Sequence, residues 1–220
     1  MSSIGPYKAV IFDMDGVIVD SEPRHERAFH AVVEEIGLQG KHSLQFADYV
    51  GRTDRVLWED FVKVSQPAQS IEVLLAMKRE KVLEILRRES PLFDGVPSLI
   101  ETLSTRVPLG LASGSERPIV DAVLELGDLR CFFSAVVSGS EVANGKPAPD
   151  IFLTTARLLG VAPGDCVVIE DSQPGVSAAR AAGMRVMAIT NTHPAEDLRD
   201  ASLVVGDCSQ LRRVLLAEAG

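Results

Sequence analysis

The sequence has few cysteines, no long hydrophobic run and no basic leader. Its three cysteines, Cys131, Cys166 and Cys208, are too few and too scattered for a disulfide framework, and none has the spacing of a zinc site. No apolar run approaches the roughly 18 residues of a transmembrane helix, and the first residues lack the features of a signal peptide. We therefore expect a cytoplasmic protein with no membrane partner.

The chain also lacks an excess of basic residues. Asp and Glu total 31 against 22 Lys and Arg, which gives a formal net charge of −9 at pH 7. Such a charge disfavours nonspecific binding to nucleic acid, and we expect no nucleic-acid partner. If the substrate is an anion, local cations or a metal ion must receive it.

Apolar residues are present in ordinary amounts. They make up 46% of the 220 residues, and charged residues make up 24%, so that the chain can bury an ordinary core. The length allows one large domain, or a main domain that carries a smaller insert. We expect the chain to fold alone, as a monomer.

Short apolar runs that end in polar or glycine-rich turns recur along the chain, and such runs are typical of buried strands. They lie at 9–12, 109–112, 135–137, 167–169, 186–189 and, more weakly, 203–205. Helical spacing follows the second to the fifth run, and the last of these helical patterns is Leu198 near Ala201. This alternation predicts an α/β fold with a doubly wound parallel sheet.

One interval breaks the alternation. About 95 residues separate the first two predicted strands, whereas a βαβ unit needs about 30. Residues 21–91 contain amphipathic helical patterns and almost no strand-like alternation. We predict that 21–91 form a helical-bundle cap inserted into a catalytic core of 1–20 and 92–220, with a hinge at 90–95.

Polar residues follow four of the predicted strands. Ligands bind outside the carboxyl ends of the strands in open parallel sheets, so we expect these residues to share one edge. They are Asp13, Asp15, Ser113, Gly114, Ser115, Lys146, Glu170 and Asp171. Four carboxylates repel one another unless a cation lies among them. Because no thiol or imidazole accompanies them, Mg²⁺ is the natural cation.

Lys146 and the turn at Ser113 suit an anionic phosphate. Lys146 is the only cation at these four predicted strand ends. Ser113, Gly114 and Ser115 offer hydroxyls and main-chain amides at the start of a predicted helix. A simple serine N-cap explains that turn about as well.

These segments resemble the four motifs of the haloacid dehalogenase-like hydrolase superfamily in order and spacing. They are Phe12-Asp13-Met14-Asp15-Gly16-Val17 with the residues up to Pro23, Ser113, Gly145-Lys146-Pro147, and Glu170-Asp171-Ser172. The resemblance covers essentially the whole chain. The helical insert is similar to the type-one cap of the beta-phosphoglucomutase and sugar-phosphatase branch.

The resemblance implies a Mg²⁺-dependent phosphatase that acts on a small phosphorylated metabolite, and a sugar phosphate is expected in this branch. Asp13 would be the nucleophile that forms an aspartyl-phosphate, and Asp15 would serve as general acid and then as general base. Ser113 and Lys146 would bind the phosphoryl oxygens. The Mg²⁺ ligands would be Asp13, the main-chain carbonyl of Asp15, Glu170 and Asp171.

Further polar residues are candidates for substrate binding. In the predicted cap, His25 continues one apolar helical stripe, Lys78 interrupts another, and Arg52 lies where the branch often has a substrate-facing arginine. Local pairing explains His25 and Lys78 about as well, and a solvated surface position is the alternative for Arg52. The candidates in the predicted core are Gly114, Ser115 and Arg117.

Two other functions remain open. A mutase of the beta-phosphoglucomutase type needs a second cationic site for the phosphate that is not reacting. The resemblance implies a Ser-Lys pair there, whereas this chain has Ser115-Glu116-Arg117, in which Glu116 repels a phosphate and Arg117 offsets that repulsion. A phospho-accepting regulatory module unites similar residues, but such modules are shorter and lack a cap. These features favour the phosphatase.

Overall fold

The structure is a computed structural model that describes residues 3–49 and 53–218. The chain divides into two compact units, which we call the core unit (Met1–Asp20 with Pro91–Gly220) and the cap unit (Ser21–Ser90). Within the described ranges, no helix combines the length and the apolar character needed to span a membrane.

A six-stranded parallel sheet in the order β3-β2-β1-β4-β5-β6 forms the centre of the core unit. The strands are β1 (Ala9–Phe12), β2 (Leu109–Ser113), β3 (Ala135–Ser138), β4 (Cys166–Glu170), β5 (Arg185–Ile189) and β6 (Leu203–Val205). Every residue of β1, β2 and β4 is buried, as is typical of a parallel sheet covered on both faces. The strand order reverses at β1, which confirms the predicted doubly wound α/β fold.

The cap unit consists of helices, as predicted for the insert. They are α1 (Glu22–Glu35), α2 (Asp54–Ser65) and α3 (Ile71–Glu89). Their apolar faces meet around Phe29, whose ring centroid lies 5.2 Å from that of Trp58 and 6.0 Å from that of Phe61. The unit therefore has an apolar cluster of its own.

Among its described residues, the core unit has five α-helices. They are α4 (Val96–Ser104), α5 (Arg117–Leu126), α6 (Asp150–Leu159), α7 (Gln173–Ala181) and α8 (Cys208–Glu218). Short 3₁₀ helices lie at Phe46–Tyr49, Leu129–Phe132, Gly139–Glu141 and Pro163–Asp165. Proline near the start of α5 and α7 suits these helices, since the first helical amides need no partner within the helix.

The prediction of a helix around Leu198 and Ala201 is wrong. This segment forms turns, in which the amides of Asp197 and Ala201 donate to the carbonyls of Pro194 and Leu198, three residues back. These bonds span three residues rather than the four of an α-helix, so that the segment forms no continuous α-helical ladder. Leu198 is nevertheless buried, so its apolar spacing reflects packing in the core rather than a helix.

Candidate active site

The ends of three neighbouring strands position the acidic residues and Ser113. Asp13 follows β1 directly, Ser113 is the last residue of β2, and Glu170 is the last residue of β4. Because β1 lies between β2 and β4, Asp13 is flanked by both neighbours. The amide of Asp13 donates to the carbonyl of Ile169 at 2.9 Å, which continues the pairing of β1 with β4 past the last strand residue.

Lys146 joins two of the buried carboxylates. Its Nζ donates to Asp13 Oδ1 at 2.6 Å and to Glu170 Oε1 at 2.5 Å. The same nitrogen lies over the ring of Phe152, 5.1 Å from its centroid. Residues far apart in the sequence therefore meet at one point, where charge-assisted hydrogen bonds and a ring face hold the ammonium group.

Burial and charge shift the pKa values in this cluster. Burial raises the pKa of Asp13 well above its ordinary value; Lys146 opposes that shift, while Glu170, Asp15 and Asp171 add to it. Burial and the charge of Glu170 raise the pKa of Asp171 to about 7. Burial alone would lower the pKa of Lys146, but Asp13 and Glu170 outweigh it and raise that pKa. Negative charge is therefore in excess around this one lysine.

Three of these carboxylates are arranged as a possible metal site. One oxygen from each of Asp13, Glu170 and Asp171 lies within 4.8 Å of the others, and all three residues are buried. Buried carboxylates are costly without a compensating cation, and Lys146 supplies only one positive charge. Hard divalent cations prefer oxygen ligands of this kind. The residues therefore fit a bound metal ion.

The start of α7 fixes the carboxylate of Glu170. Its Oε2 accepts hydrogen bonds from the amides of Asp171 and Ser172 and from Ser172 Oγ, each at 2.9 Å. A Cβ at Gly175 would lie 1.8 Å from Glu170 Oε1, so that only glycine permits this close approach of the helix. One oxygen of Glu170 is thus held by α7 and the other faces Lys146.

Two residues after β5 belong to the same site and were missed by the sequence analysis. Thr192 Oγ1 donates to Asp171 Oδ2, and Asn191 Nδ2 donates to the carbonyl of Gly16 at 2.8 Å. The sequence did contain a signal for them, because polar residues follow the fifth strand as well. Ligands bind outside the carboxyl ends of parallel strands, and this applies to β5 as it does to β1, β2 and β4.

The turn after β2 brings two hydroxyls to Asp15. Asp15 Oδ2 accepts from Ser115 Oγ at 2.8 Å and from Ser113 Oγ at 3.2 Å. The amide of Ser115 in turn donates to Ser113 Oγ at 3.0 Å. Gly114 lies between them and is exposed. The predicted residues of this turn therefore gather around the second aspartate of the first motif.

A protein-family model decides the identity of the chain: the model for haloacid dehalogenase-like hydrolases matches residues 7–183. The chain belongs to this family. Within it, the chain is 38% identical over 181 residues to fructose-1-phosphate phosphatase YqaB of Escherichia coli strain K12, which covers 81% of this chain and 94% of that protein.

Two further comparisons agree. Hexitol phosphatase B of Escherichia coli strain K12 is 31% identical over 201 residues, with 90% of each chain covered. The crystal structure of beta-phosphoglucomutase from Clostridium difficile matches with a TM-score of 0.80 at 24% identity, over 97% of this chain and 96% of that one, and at this identity it shows the fold alone. The predicted haloacid dehalogenase-like phosphatase of the sugar-phosphatase branch is confirmed.

In this hydrolase, two predicted cap residues contact each other. Lys78 is fully buried, and its Nζ donates to the carboxylate of Asp54 and lies 3.1 Å from His25 Nδ1. The ring of Phe46 lies 5.5 Å from the same nitrogen. Local pairing thus describes the surroundings of both residues, and their role in substrate binding stays a prediction. Arg52 lies outside the described residues.

Arg117 has partners of its own in the core unit of the hydrolase. Its guanidinium donates to the carboxylate of Glu141 and, at 3.0 Å, to the carbonyl of Val136 in β3, and it lies 3.6 Å from Asp121 Oδ1. Glu141 also accepts hydrogen bonds from the amide and hydroxyl of Ser138. These contacts tie Arg117 to the end of β3.

Proposed function

We propose that this protein is a Mg²⁺-dependent phosphatase that hydrolyses a small phosphorylated sugar through an aspartyl-phosphate on Asp13. The observation that carries the proposal is that Asp13 lies next to a lysine and to two other buried carboxylates. Its carboxylate accepts from Lys146 at 2.6 Å and belongs to the three-carboxylate cluster with Glu170 and Asp171. A nucleophile for phosphoryl transfer needs this combination of a carboxylate and neighbouring positive charge.

In the first step, a carboxylate oxygen of Asp13 attacks the phosphorus in line with the leaving alcohol. A P–O bond to Asp13 forms, and the P–O bond to the leaving oxygen breaks. The leaving oxygen takes the proton of the Asp15 carboxyl group, so that the alcohol departs neutral. The hydrogen bonds of Asp15 with Ser113 and Ser115 support this role, because they fix the carboxyl group.

In the second step, water attacks the phosphorus of the aspartyl-phosphate. Asp15, now a carboxylate, takes a proton from that water as a general base. The bond between phosphorus and Asp13 breaks, inorganic phosphate leaves, and both carboxyl groups return to their starting states.

Positive charge must accompany the phosphoryl group through both steps. Lys146 supplies part of it, and Ser113 Oγ is the second proposed partner of the phosphoryl oxygens. The proposed Mg²⁺ ligands are Asp13, the main-chain carbonyl of Asp15, Glu170 and Asp171. When bound, Mg²⁺ supplies charge neutralisation for the phosphoryl oxygens. The excess of buried carboxylates over lysine supports this ligand set.

The names of the relatives support a sugar phosphate as substrate. The two curated relatives compared above are a fructose-1-phosphate phosphatase and a hexitol phosphatase, each more than 30% identical to this chain. The first name gives a phosphorylated sugar as the substrate, and the second gives a hexitol. A panel that contains these compounds is therefore the first place to look for the substrate.

The mutase alternative is weakened by the turn after β2. A mutase must bind a second phosphate, and Glu116 would repel it there. Arg117 could offset this charge, but its guanidinium is already engaged with Glu141 and the carbonyl of Val136. This engagement favours release of phosphate over transfer to a second hydroxyl.

Asp13→Asn provides the first test. The amide is nearly isosteric but is not a nucleophile, so turnover of p-nitrophenyl phosphate with Mg²⁺ should disappear while the circular dichroism spectrum is unchanged. Asp200→Asn, on an exposed turn, is the matched control and should retain wild-type turnover. Turnover of Asp13→Asn within about tenfold of wild type would place the nucleophile elsewhere.

The same assay tests the metal and the reaction type. Excess chelator should abolish turnover and Mg²⁺ should restore it, because uncompensated carboxylates repel the phosphate dianion. Undiminished turnover in chelator would overturn the metal proposal. With beta-glucose 1-phosphate and a catalytic amount of the 1,6-bisphosphate, phosphate release without glucose 6-phosphate supports the phosphatase, whereas faster formation of glucose 6-phosphate identifies a mutase.

A further inference from the structure

We propose that Ser115 is a positioning residue that orients the carboxyl group of Asp15, and that its hydroxyl does not bind substrate. The inference rests on the proposed function, since it gives Asp15 the work of general acid and base. Sequence reasoning had placed Ser115 among the substrate-binding residues. The hydrogen bonds of the turn after β2 lead to the different role.

The shorter of the two hydroxyl contacts to Asp15 comes from Ser115. Its Oγ lies 2.8 Å from Asp15 Oδ2, near the usual length of a hydroxyl hydrogen bond, whereas Ser113 Oγ lies 3.2 Å away. Both hydroxyls donate to the same oxygen, so the shorter contact from Ser115 is the stronger constraint on the orientation of Asp15.

Ser113 cannot serve two acceptors at once. A serine hydroxyl has a single proton, and that of Ser113 is directed at Asp15 while its oxygen accepts from the amide of Ser115 at 3.0 Å. If Ser113 turns its proton to a phosphoryl oxygen, Asp15 loses one donor. Ser115 then keeps Asp15 in place, and the two serines divide the tasks between them.

Main-chain contacts that need no substrate hold Ser115. Its carbonyl accepts from the amide of Gly139 at 3.1 Å, which joins the turn after β2 to the end of β3. A Cβ at Gly139 would lie 2.2 Å from the carbonyl oxygen of Gly114, so only glycine allows the two segments to approach this closely. The main chain from which the Ser115 hydroxyl extends is therefore fixed at the carboxyl edge of the sheet.

The fixed orientation of the Asp15 carboxyl group matters for proton transfer. Each hydrogen bond to Asp15 Oδ2 limits rotation about the bond that carries the carboxyl group. Proton transfer in both steps then starts from one orientation, and no ordering cost is added in the transition state. Loss of the Ser115 hydroxyl should reduce the rate of steps that need a proton and should leave substrate affinity unchanged.

The test compares two aryl phosphates of nearly equal size that differ in leaving group. Phenyl phosphate needs a general acid more than p-nitrophenyl phosphate, whose leaving oxygen departs readily without a proton. In single turnover with Mg²⁺, Ser115→Ala should form the aspartyl-phosphate about tenfold more slowly from phenyl phosphate. With p-nitrophenyl phosphate the loss should stay below about threefold, and half-saturating concentrations should not change.

Conservative variants of Ser115 test the positioning role further. Ser115→Thr keeps the hydroxyl and should recover the phenyl phosphate rate to within about threefold, and Ser115→Cys, a weaker donor, should fall between serine and alanine. Ser104→Ala is the matched control, because its hydroxyl bonds only to the carbonyl of Glu101 within α4 in the described structure. Its rates should equal those of wild type.

The contradicting outcomes are distinct. Equal losses on both phosphates would mean that Ser115→Ala disturbs the site generally, and higher half-saturating concentrations at an unchanged rate would return Ser115 to substrate binding. Either result overturns the positioning role while the phosphatase proposal stands. A wild-type protein that forms no phosphorylated Asp13 and releases no phosphate would instead refute the proposed function itself.

Discussion

Among the described residues, Lys146 in the core unit and the fully buried Lys78 in the cap unit both contact carboxylates, and the two lysines differ in how their charge is balanced. In the core unit, the Lys146 ammonium is shared by Asp13 and Glu170, and Asp171 adds a third buried carboxylate. In the cap unit, Lys78 has one carboxylate partner, Asp54, whose side chain is 37% exposed.

The difference separates a cluster with excess negative charge from a balanced ion pair. Lys146 leaves negative charge uncompensated around Asp13, and such a cluster is complete only with additional positive charge. Lys78 and Asp54 neutralise each other without any ligand. Perturbed carboxylates at a sheet edge are typical of catalytic sites, whereas the pair in the cap unit has no such excess of charge.

Lys146→Met should have the largest effect. Methionine keeps much of the side-chain volume but removes the charge that Asp13 and the phosphoryl group share, so we expect kcat for p-nitrophenyl phosphate to fall by about 10³. Lys8→Met, which removes an exposed lysine paired with Asp165, should leave kcat within about twofold of wild type. Equal kcat values for the two variants would contradict the special role expected for the charge of Lys146.

Asp54→Asn should destabilise the cap unit more than Lys78→Met. The first change leaves a fully buried ammonium without its carboxylate, at a cost of about 3 kcal/mol, whereas the second leaves a partly exposed carboxylate that water can solvate, at about 1 kcal/mol. Urea unfolding followed by the fluorescence of Trp58, the only tryptophan, measures this unit.

The double variant sharpens the same comparison. Because both charges are then absent, its free energy of unfolding should lie near that of Lys78→Met alone rather than at the sum of the two losses. A larger loss for Lys78→Met than for Asp54→Asn would show that packing of the lysine stem, and not its charge, stabilises the unit.

Two helix N-caps provide the smallest contrast. Ser70 Oγ accepts from the amide of Val73 and also bonds to the exposed carboxylate of Glu72, whereas Ser172 Oγ accepts from Gly175 and donates to the buried carboxylate of Glu170. Alanine at either position should cost about 1 kcal/mol of stability. Ser172→Ala should additionally weaken Mg²⁺ binding about tenfold in calorimetry. Equal Mg²⁺ affinities for both variants would show that Ser172 does not support the metal site.

Local patterns predicted the sheet well because its strands are short, apolar and bounded by turn residues. The structure extends predicted strands by one residue at the carboxyl end, as at Ser113 and Glu170, since main-chain pairing continues past the last apolar side chain. The segment around Leu198 shows the limit of such patterns. Apolar spacing records which residues are buried, and a buried turn can show the same spacing as a helix.

Sequence reasoning found the charged residues of the site but not their partners. Lys146, Glu170 and Asp171 were identifiable because each follows or ends a strand. The hydrogen bond from Thr192 to Asp171 and the pairing of Lys78 with Asp54 depend on side-chain directions in the folded state. Spacing in the sequence does not show which of several nearby polar groups a hydroxyl or an ammonium group contacts.

The central position of β1 also governs when the enzyme can exist during synthesis. Val10 in β1 pairs with Leu109 in β2 and with Val167 in β4, so the strand that carries Asp13 leaves the ribosome long before either neighbour. The cap unit, in contrast, is continuous in the chain, and its partners emerge close together. Pairing over such distances in the sequence is slow to form. A nascent chain therefore contains Asp13 early, yet the carboxylates of Glu170 and Asp171 join it only after β4 has emerged.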